Sequence, residues 1–464
     1  MAIAGAPREG EAASAAQEPG LVVRLDEDLP ERLAVGRGNC LFLSGVCSHA
    51  ERPIERLEIA LDGVPHPAAA QGLHRPDGPG AFCAYLPFEP LGEPRRVVVE
   101  LVVSFRDGGT ARRPLGEVAV DPQLPSIDAE LAGGRGDGPL VAICMATFEP
   151  PADLLARQID SLRRQTHGRW ICLISDDRSS PAGFERLRSI VGEDRRFFVS
   201  ASPRRLGFYR NFERALSMVP EGVDFVALCD QDDSWHADKL AALVERIGES
   251  NLAFSDMRVI EESGTERSAT FWSYKRNNYI NLASLLIDNT VTGAASLFRR
   301  DLLDVALPFP PRLESSYHDH WIASVGLATG SISYLDRPLY DYVQHGATAT
   351  PVHPAATEAQ RSERPPFLSR RGVELRLEEG RASYFRDVCR VALQARILEM
   401  RGARGGSLRK RRAIRRVAAL GRPREPAVWL ALRSLRQLVG LNETRGFERA
   451  LLKGVLWRRV SARR

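Results

Sequence analysis

Over its 464 residues the chain has no run of about 18 consecutive apolar side chains, so no segment reads as a membrane-spanning helix. Met1–Gly20 lacks the basic start and apolar middle of a secretory signal, and it reads as a disordered lead-in. Cysteine is sparse and unpaired in pattern: Cys40, Cys47, Cys83, Cys144, Cys172, Cys229 and Cys389 include no CxxC spacing. That removes the common zinc and dithiol signatures. Seven thiols, several inside apolar runs, are expected to be buried and free in a reducing compartment, and the cytosol is the expected address. No internal repeat and no recognised nucleic-acid module is evident. No GxGxxG follows the first strand of the central region, where Thr147, Phe148, Glu149 and Pro150 stand instead. A dinucleotide-dependent oxidoreductase is disfavoured on that ground.

What is present describes an ordinary globular chain, 44% hydrophobic and 27% charged, and long enough for two or three domains. The net charge of +5 conceals an asymmetry. Arg401–Arg464 holds nineteen Lys/Arg against three Asp/Glu, a balance of +16, which leaves −11 on the 400 residues before it. A basic segment on an acidic body has three readings: a solvated face, a nucleic-acid contact or an anionic membrane contact. Trp429, Leu430, Leu435, Leu451, Leu452, Val455 and Trp457 interleave with the arginines, which favours the membrane surface over nucleic acid.

Between about residues 21 and 120 the pattern is one of short strands, at Leu21–Leu25, Cys40–Val46, Leu57–Leu61, Ala81–Leu86, Val97–Phe105 and Val118–Val120. They are separated by turns such as Asp62-Gly63, Asp77-Gly78 and Asp107-Gly108-Gly109. This spacing predicts an all-β sandwich of immunoglobulin-like type. The Gly/Asp-rich stretch 133–138 marks a boundary. From Pro139 compact apolar runs alternate with helical periods. Leu140–Ala146, Trp170–Ser175 and Phe225–Cys229 are strands, while Ala152–Gln165, Phe184–Val191, Asn211–Met218 and Ala237–Ile247 are helices. That alternation predicts a mostly parallel sheet buried on both faces. Beyond about residue 350 the chain turns helical and basic, with Ala382–Met400 and Ala427–Leu438 the clearest periods.

Ligands in open α/β sheets bind beyond the carboxyl ends of the strands, and here those ends are polar. The first strand runs into Thr147 and Glu149, the second into Asp176 and Asp177, the fourth into Asp230, Asp232 and Asp233. Three carboxylates within four residues repel unless a cation offsets them, and Mg2+ or Mn2+ prefers oxygen ligands beside a diphosphate. Taken alone, each cluster has a structural alternative. Asp233 or Ser234 could cap the helix that follows, and Asp176-Asp177 could close a turn before a helix with Pro181 early in it. Asp319, between His318 and His320 at the start of an amphipathic segment, reads in isolation as an N-cap. The two histidines, two residues apart, face apart on a helix and make poor co-ligands.

In order and at their spacing, Met145–Glu149, Gln158–His167, Ile174–Ser180, Gly207–Leu216, Leu228–Trp235, Val291–Arg300, Tyr317–Trp321 and Tyr342–Gly346 resemble the family-2 glycosyltransferases of GT-A fold. Within them the chain is most similar to rhamnosyltransferase-like members acting in bacterial O-antigen or cell-wall polysaccharide synthesis. The resemblance spans roughly residues 139 to 347. It implies a Rossmann-like GT-A catalytic domain (139–350) after a β-sandwich (21–122) and before a basic α-helical tail (366–464). It also implies that Thr147 and Glu149 line the nucleotide pocket, with Asp176 and Asn211 among the nucleotide-sugar contacts. Asp177 would accept a hydrogen bond from the base, and Asp230, Asp232 and Asp233 would match the DxD region. Gly293 would match the loop at the donor and acceptor, Asp319 the catalytic base, and His345 a histidine that joins Asp232 and Asp233 in holding metal or diphosphate. Glu149 departs from the Asn or Asp that many members carry.

The expected activity is metal-assisted transfer of a hexosyl or deoxyhexosyl group from a UDP- or dTDP-sugar to a glycan or lipid-linked hydroxyl. One base and no identifiable carboxylate nucleophile point to inversion in a single displacement. The enzyme is expected at the cytoplasmic face of the cell membrane, held there by its basic C-terminal region, without a nucleic-acid partner. A sugar- or nucleotide-sugar-binding protein without turnover is the alternative.

Overall fold

The computed structural model describes residues 18–76, 78–122, 138–272, 278–313, 316–344, 369–402, 407–421, 426–436, 444 and 446–462. Most of the lead-in, most of the Gly/Asp-rich boundary and His345 lie outside them.

The N-terminal region holds nine strands: β1 Leu21–Leu25, β2 Arg32–Ala34, β3 Asn39–His49, β4 Ile54–Leu61, β5 Val64–Pro67, β6 Ala70–Arg75, β7 Gly78–Phe88, β8 Arg95–Phe105 and β9 Thr110–Asp121. They form two sheets, ordered β1-β3-β7-β6 and β2-β9-β8-β4-β5. The period-two pattern of β8 places Val97, Val99, Leu101, Val103 and Phe105 on the inner face. There they meet Leu41, Leu43, Phe82, Ala84 and Leu86 of the facing sheet in one core. The β4–β5 hairpin turns at Asp62-Gly63, with φ of 48° and 82°, values that this short polar residue and glycine tolerate. β7 is buried on both faces. Its alternate residues Ala81, Cys83 and Tyr85 belong to a second core, shared with the rest of the chain.

That second core is built on a sheet of β10 Val141–Thr147, β11 Trp170–Asp176, β12 Phe197–Ala201, β13 Phe225–Cys229, β14 Ser234–Trp235, β15 Leu252–Glu261, β16 Glu266–Ser268, β17 Ser296–Arg299 and β18 Ile332–Gln344. The strand order is β12-β11-β10-β13-β17-β15-β18-β14, with β16 paired to β15. The helices are α1 Ala152–Arg163, α2 Pro181–Val191, α3 Phe208–Ser217, α4 Lys239–Ile247, α5 Leu282–Ile287, α6 Leu303–Ala306 and α7 His318–Thr329. β12, β11, β10 and β13 are parallel, joined by helical crossovers. Beyond β13 the sheet departs from the mostly parallel expectation: β17 is antiparallel to both β13 and β15, and β14 to β18. The sheet is mixed because β17 enters between β13 and β15 after a short helix and a 3-10 turn, in place of a return crossover.

The C-terminal helices are α8 Arg370–Ser383, α9 Cys389–Met400, α10 Leu408–Ala418, α11 Pro426–Ser434 and α12 Phe447–Ser461, with a π-helical turn, Tyr384–Val388, joining α8 to α9. They correct the expectation of an appended tail. α9 is buried nearly all round, as a helix is when it lies inside a protein. Tyr85 Oη donates to Cys389 O at 3.5 Å, and Cys83 Sγ meets Tyr384 Oη at 3.4 Å. The buried guanidinium of Arg401 donates to Gly38 O (2.7 Å), Val305 O (2.7 Å), Ala306 O (2.8 Å) and Pro308 O, tying sandwich, sheet domain and helices together. Leu430, Leu451, Val455 and Trp457, read from the sequence as a membrane face, are buried in this core. Amphipathic spacing marks a covered face without naming what covers it.

Candidate active site

The ends of β10 and β11 are knotted together by the polar residues that mark them. Thr147 Oγ1 donates to Asp176 Oδ1 at 3.2 Å, and Asp176 also accepts from Ser179 N (2.8 Å) and Ser179 Oγ (2.6 Å). Asn211 reaches from α3 to accept from Ser175 Oγ (2.6 Å) and donates to Ser175 O (2.8 Å) and Thr147 O (3.3 Å). Thr147, Asp176 and Asn211 are all buried, so they shape the strand ends from within. Glu149, at φ 41°, accepts from Ser180 N and Ser180 Oγ, and the bond from Ser180 N holds its carboxyl below the usual range. Ser180, with Pro181 behind it, is the N-cap of α2, so Asp176-Asp177 is not that cap.

Asp177 faces the loop before α3. It accepts from Leu206 N (2.5 Å) and Gly207 N (2.8 Å) and pairs with Arg205 Nε at 3.0 Å. Arg205 in turn lies 3.0 Å over the ring of Phe148, a cation–π contact. Phe148 N donates to Gln231 Oε1 at 2.9 Å, and Gln231 Nε2 donates back to Phe148 O at 3.2 Å. A continuous line of contacts therefore runs from Asp177 to the acidic end of β13.

Burial and mutual charge dominate that end. Asp230 is pushed up to about 7 by burial first and then by the neighbouring charges of Asp232 and Asp319. Asp233 is buried and rises further, again from burial first and then from Asp232 and Asp230. Its Oδ1 accepts weakly from Val343 N at 3.4 Å, while Oδ2 has no hydrogen-bond partner. Asp233 does not cap α4, because Asp238 occupies that position. Lys239 is wholly buried behind these acids. Its ammonium donates to Ala294 O and lies 3.4 Å from the ring centroid of Trp235 and 4.5 Å from that of Tyr340. Burial draws it down to about 7, against the pull of Cys229, Asp233 and Asp230.

Opposite stands Asp319, in the first turn of α7. It does not cap the helix. Oδ1 accepts from His320 N (2.6 Å) and Oδ2 from Gly293 N (3.3 Å). Burial raises its carboxyl to about 6, and those two bonds oppose the rise. A Cβ on Gly293 would stand 2.8 Å from His318 Nε2 and 3.4 Å from Asp319 Cβ, so only glycine lets the loop approach this closely. His318 stacks on Phe212 with ring centroids 3.8 Å apart, and both its nitrogens lack hydrogen-bond partners. His320 points elsewhere, to Leu285 O (2.6 Å) and Arg390 Nη1 (3.1 Å). Exposed Phe208 and Tyr317, 5.8 Å apart, flank the Asp319 side.

The structure thus brings Asp230, Asp232, Gly293 and Asp319 together, links Asp177 to them through Arg205, Phe148 and Gln231, and turns Asp176 and Asn211 into scaffold. Sequence reading passed over Lys239, Arg205 and the Phe208–Tyr317 pair. Lys239 shares the buried stripe of α4 with Leu240, Leu243 and Ile247, and a lysine in such a stripe is itself a signal. Among the described residues no three His, Cys, Asp or Glu side chains gather closely enough to cage an ion by themselves. Mg2+ and Mn2+ seldom need such a cage, being held by one or two carboxylates together with substrate phosphates. Crowded acids at the tip of β13, raised by one another's charge and with Asp233 Oδ2 lacking a hydrogen-bond partner, fit that partial donor set.

Residues 142–306 match the model of Glycosyl transferase family 2. The putative teichuronic acid biosynthesis glycosyltransferase TuaG of Bacillus subtilis is 26% identical over 165 residues, taking in 33% of this chain and 64% of that protein. An uncharacterized protein of Sinorhizobium fredii, y4gI, is 27% identical over 147 residues, or 31% of this chain and 16% of its own length. The chain therefore spans less than two thirds of either relative. Among solved structures, S. aureus TarS 1-349 in complex with UDP-GlcNAc aligns at 15% identity and a TM-score of 0.39, covering 69% of this chain and 92% of that one. The matched segment runs from β10 to α6, and Asp319 lies just beyond it.

Proposed function

We propose that this chain transfers a sugar from a nucleotide-diphosphate sugar to a hydroxyl acceptor with inversion, Asp319 acting as the base. The observation that carries the reading is the position of Asp319. It is a half-buried carboxyl, raised to about 6 and held by Gly293 N and His320 N, within the electrostatic reach of Asp230.

On this reading the base of a UDP- or dTDP-sugar sits at the Asp177 end, where Arg205 and Phe148 offer charge and a stacking face. Asp230, Asp232 and Asp233 would hold Mg2+ or Mn2+ together with the donor's phosphates, with His345 an additional candidate. When bound, the metal stabilises charge on the leaving diphosphate as a Lewis acid, worth several kcal/mol. Lys239 offsets the acids from inside and fixes the Gly293 loop through Ala294 O. Asp319 removes the acceptor proton, an effect of about 10²–10⁴-fold. A base near 6 is largely ionised at neutral pH yet retains some basicity. The Phe208–Tyr317 pair offers apolar faces to a sugar ring. One base, with no carboxylate nucleophile identifiable in the sequence, corresponds to a single displacement.

Finer assignments rest on the sequence resemblance. They are hexosyl or deoxyhexosyl transfer of rhamnosyltransferase type, a glycan or lipid-linked acceptor of envelope polysaccharide synthesis, and work at the cytoplasmic side of the membrane. Seven buried free thiols support a reducing compartment. The strand orders β1-β3-β7-β6 and β2-β9-β8-β4-β5 support an immunoglobulin-like reading of the sandwich.

The test is a thermal-unfolding screen of nucleotide sugars with and without Mn2+, followed by turnover of each one that binds. A donor at a hundredfold excess over its Kd adds about 2.7 kcal/mol, and the stabilisation is expected to need the metal. Stabilisation by donor with no turnover on any acceptor would replace the transferase by a nucleotide-sugar-binding protein.

A further inference from the structure

A cavity of about 510 Å³ opens between the start of α5 and the helices α10 and α11. Six of its lining residues are cationic: Arg409, Lys410, Arg412, Arg416, Arg433 and Arg436. Among the described lining residues none is a carboxylate. Arg433 is built in, pairing with buried Glu448 at 3.3 Å and donating to Ser284 Oγ at 2.6 Å. Lys410 donates to Gly330 O at 2.5 Å. Arg409, Arg412 and Arg416 are exposed. So many like charges around one concavity favour a phosphate-bearing partner.

Aliphatic side chains identify which one. Ile280, Leu408, Val428, Leu432 and Leu435 are each more than half exposed. Val428, Leu432 and Leu435 follow the three- and four-residue spacing of one helix face, while their neighbours Leu430 and Arg433 are turned inward. The outward stripe is thus distinct from the buried one. Exposed aliphatics beside arginines match a bilayer interface, where the apolar groups enter the headgroup boundary and the cations meet anionic lipid. Single-stranded nucleic acid would be met by exposed aromatics for stacking, and among the described lining residues the one aromatic, Trp429, is partly buried.

We infer that the α10–α11 face docks on an anionic phospholipid bilayer. The same surface approaches the proposed acceptor side, because α5 lines the cavity at Leu282 and Ala283 and holds His320, next to Asp319, through Leu285 O. Docking is read without turnover, so it and the proposed transfer reaction can fail separately.

The test is flotation of the full chain with phosphatidylcholine vesicles, with and without phosphatidylglycerol, in the presence of competing RNA. The parent is expected to float only with the anionic vesicles. Combining Arg409→Gln, Arg412→Gln and Arg416→Gln should lower partition by roughly a hundredfold, at about fivefold per charge. Leu432→Asp should lower it as well, and both variants should keep the parent's unfolding midpoint, since all four side chains are exposed. Failure of the parent to float, equal binding to neutral vesicles, variants that float like the parent, or displacement by RNA at equal phosphate would each overturn the inference.

Discussion

Replacing Lys239 with methionine removes one buried charge while keeping a chain of similar length against Trp235 and Tyr340. In the parent this ammonium faces Asp230 and Asp233 and donates to Ala294 O. Its loss leaves carboxyls already raised by burial without their counter-charge, and an orphaned carbonyl in the Gly293 loop. Breaking a buried pair on one side costs about 3–5 kcal/mol, so Lys239→Met should unfold at markedly lower urea in EDTA. The response to metal carries the sharper information. In the parent, Lys239 repels an incoming cation; in the variant nothing does. Mn2+ with nucleoside diphosphate should therefore recover more stability in the variant than it adds to the parent. Urea unfolding at pH 7, near which Asp230 and Lys239 both titrate, with EDTA and with Mn2+, measures both effects. A variant within about 0.5 kcal/mol of the parent in EDTA, the scale of an ordinary surface change, or a smaller gain from Mn2+, refutes the role given to Lys239.

Gly293→Ala places a methyl group 2.8 Å from His318 Nε2. An overpacking cost of about 1–3 kcal/mol and a displaced Asp319 should lower kcat by roughly ten- to a hundredfold, read in steady-state kinetics at saturating donor. With Asp319 at about 6, kcat should fall about tenfold per pH unit below that value and level off above it, because the base must be ionised. The acids' contribution to stability runs the opposite way. Asp230 and Asp319 titrate in the fold near 7 and 6 against 3.8 ordinarily, so the folded state binds more protons at them. In EDTA these two acids cost the fold a few kcal/mol as pH rises from about 4 to 7, while His318 and His320, drawn down to about 3 by burial, return a similar amount. The parent's stability should therefore vary little over that range, and that of Asp319→Asn should rise with pH. Arg401→Met removes four carbonyl contacts that join sandwich, sheet and helices. It should cost at least about 3 kcal/mol in urea unfolding, whereas an independent tail would leave the midpoint unchanged.

The parts legible in the sequence are those where one element's environment is uniform. β10 and β11 are buried on both faces, so they read as apolar runs with polar tips, and the tips border the candidate site. Asp319 and Gly293 were found through the family resemblance, since each taken alone suits a helix start or a loop. The short strands β2 and β5 escaped because edge segments of three or four residues bury too little to show a period. The antiparallel half of the sheet escaped because pairing direction depends on where a connection returns. Asp176 and Asn211 were placed in the nucleotide pocket, yet their oxygens and amide hold strand ends together; a polar residue at a strand tip serves either purpose. The C-terminal helices show the same limit, in that Leu430 and Trp457 were read as facing a membrane surface and face this protein's own core instead.

Asp319→Asn removes the proton acceptor while its one amide oxygen can still accept from His320 N or from Gly293 N, which in the parent donate to different oxygens. Donor affinity, followed by calorimetry with Mn2+ present, should stay within about threefold of the parent, while transfer falls by about 10²–10⁴-fold. Transfer that stays within about tenfold, or donor binding that is lost along with it, would show that this carboxylate is not the base.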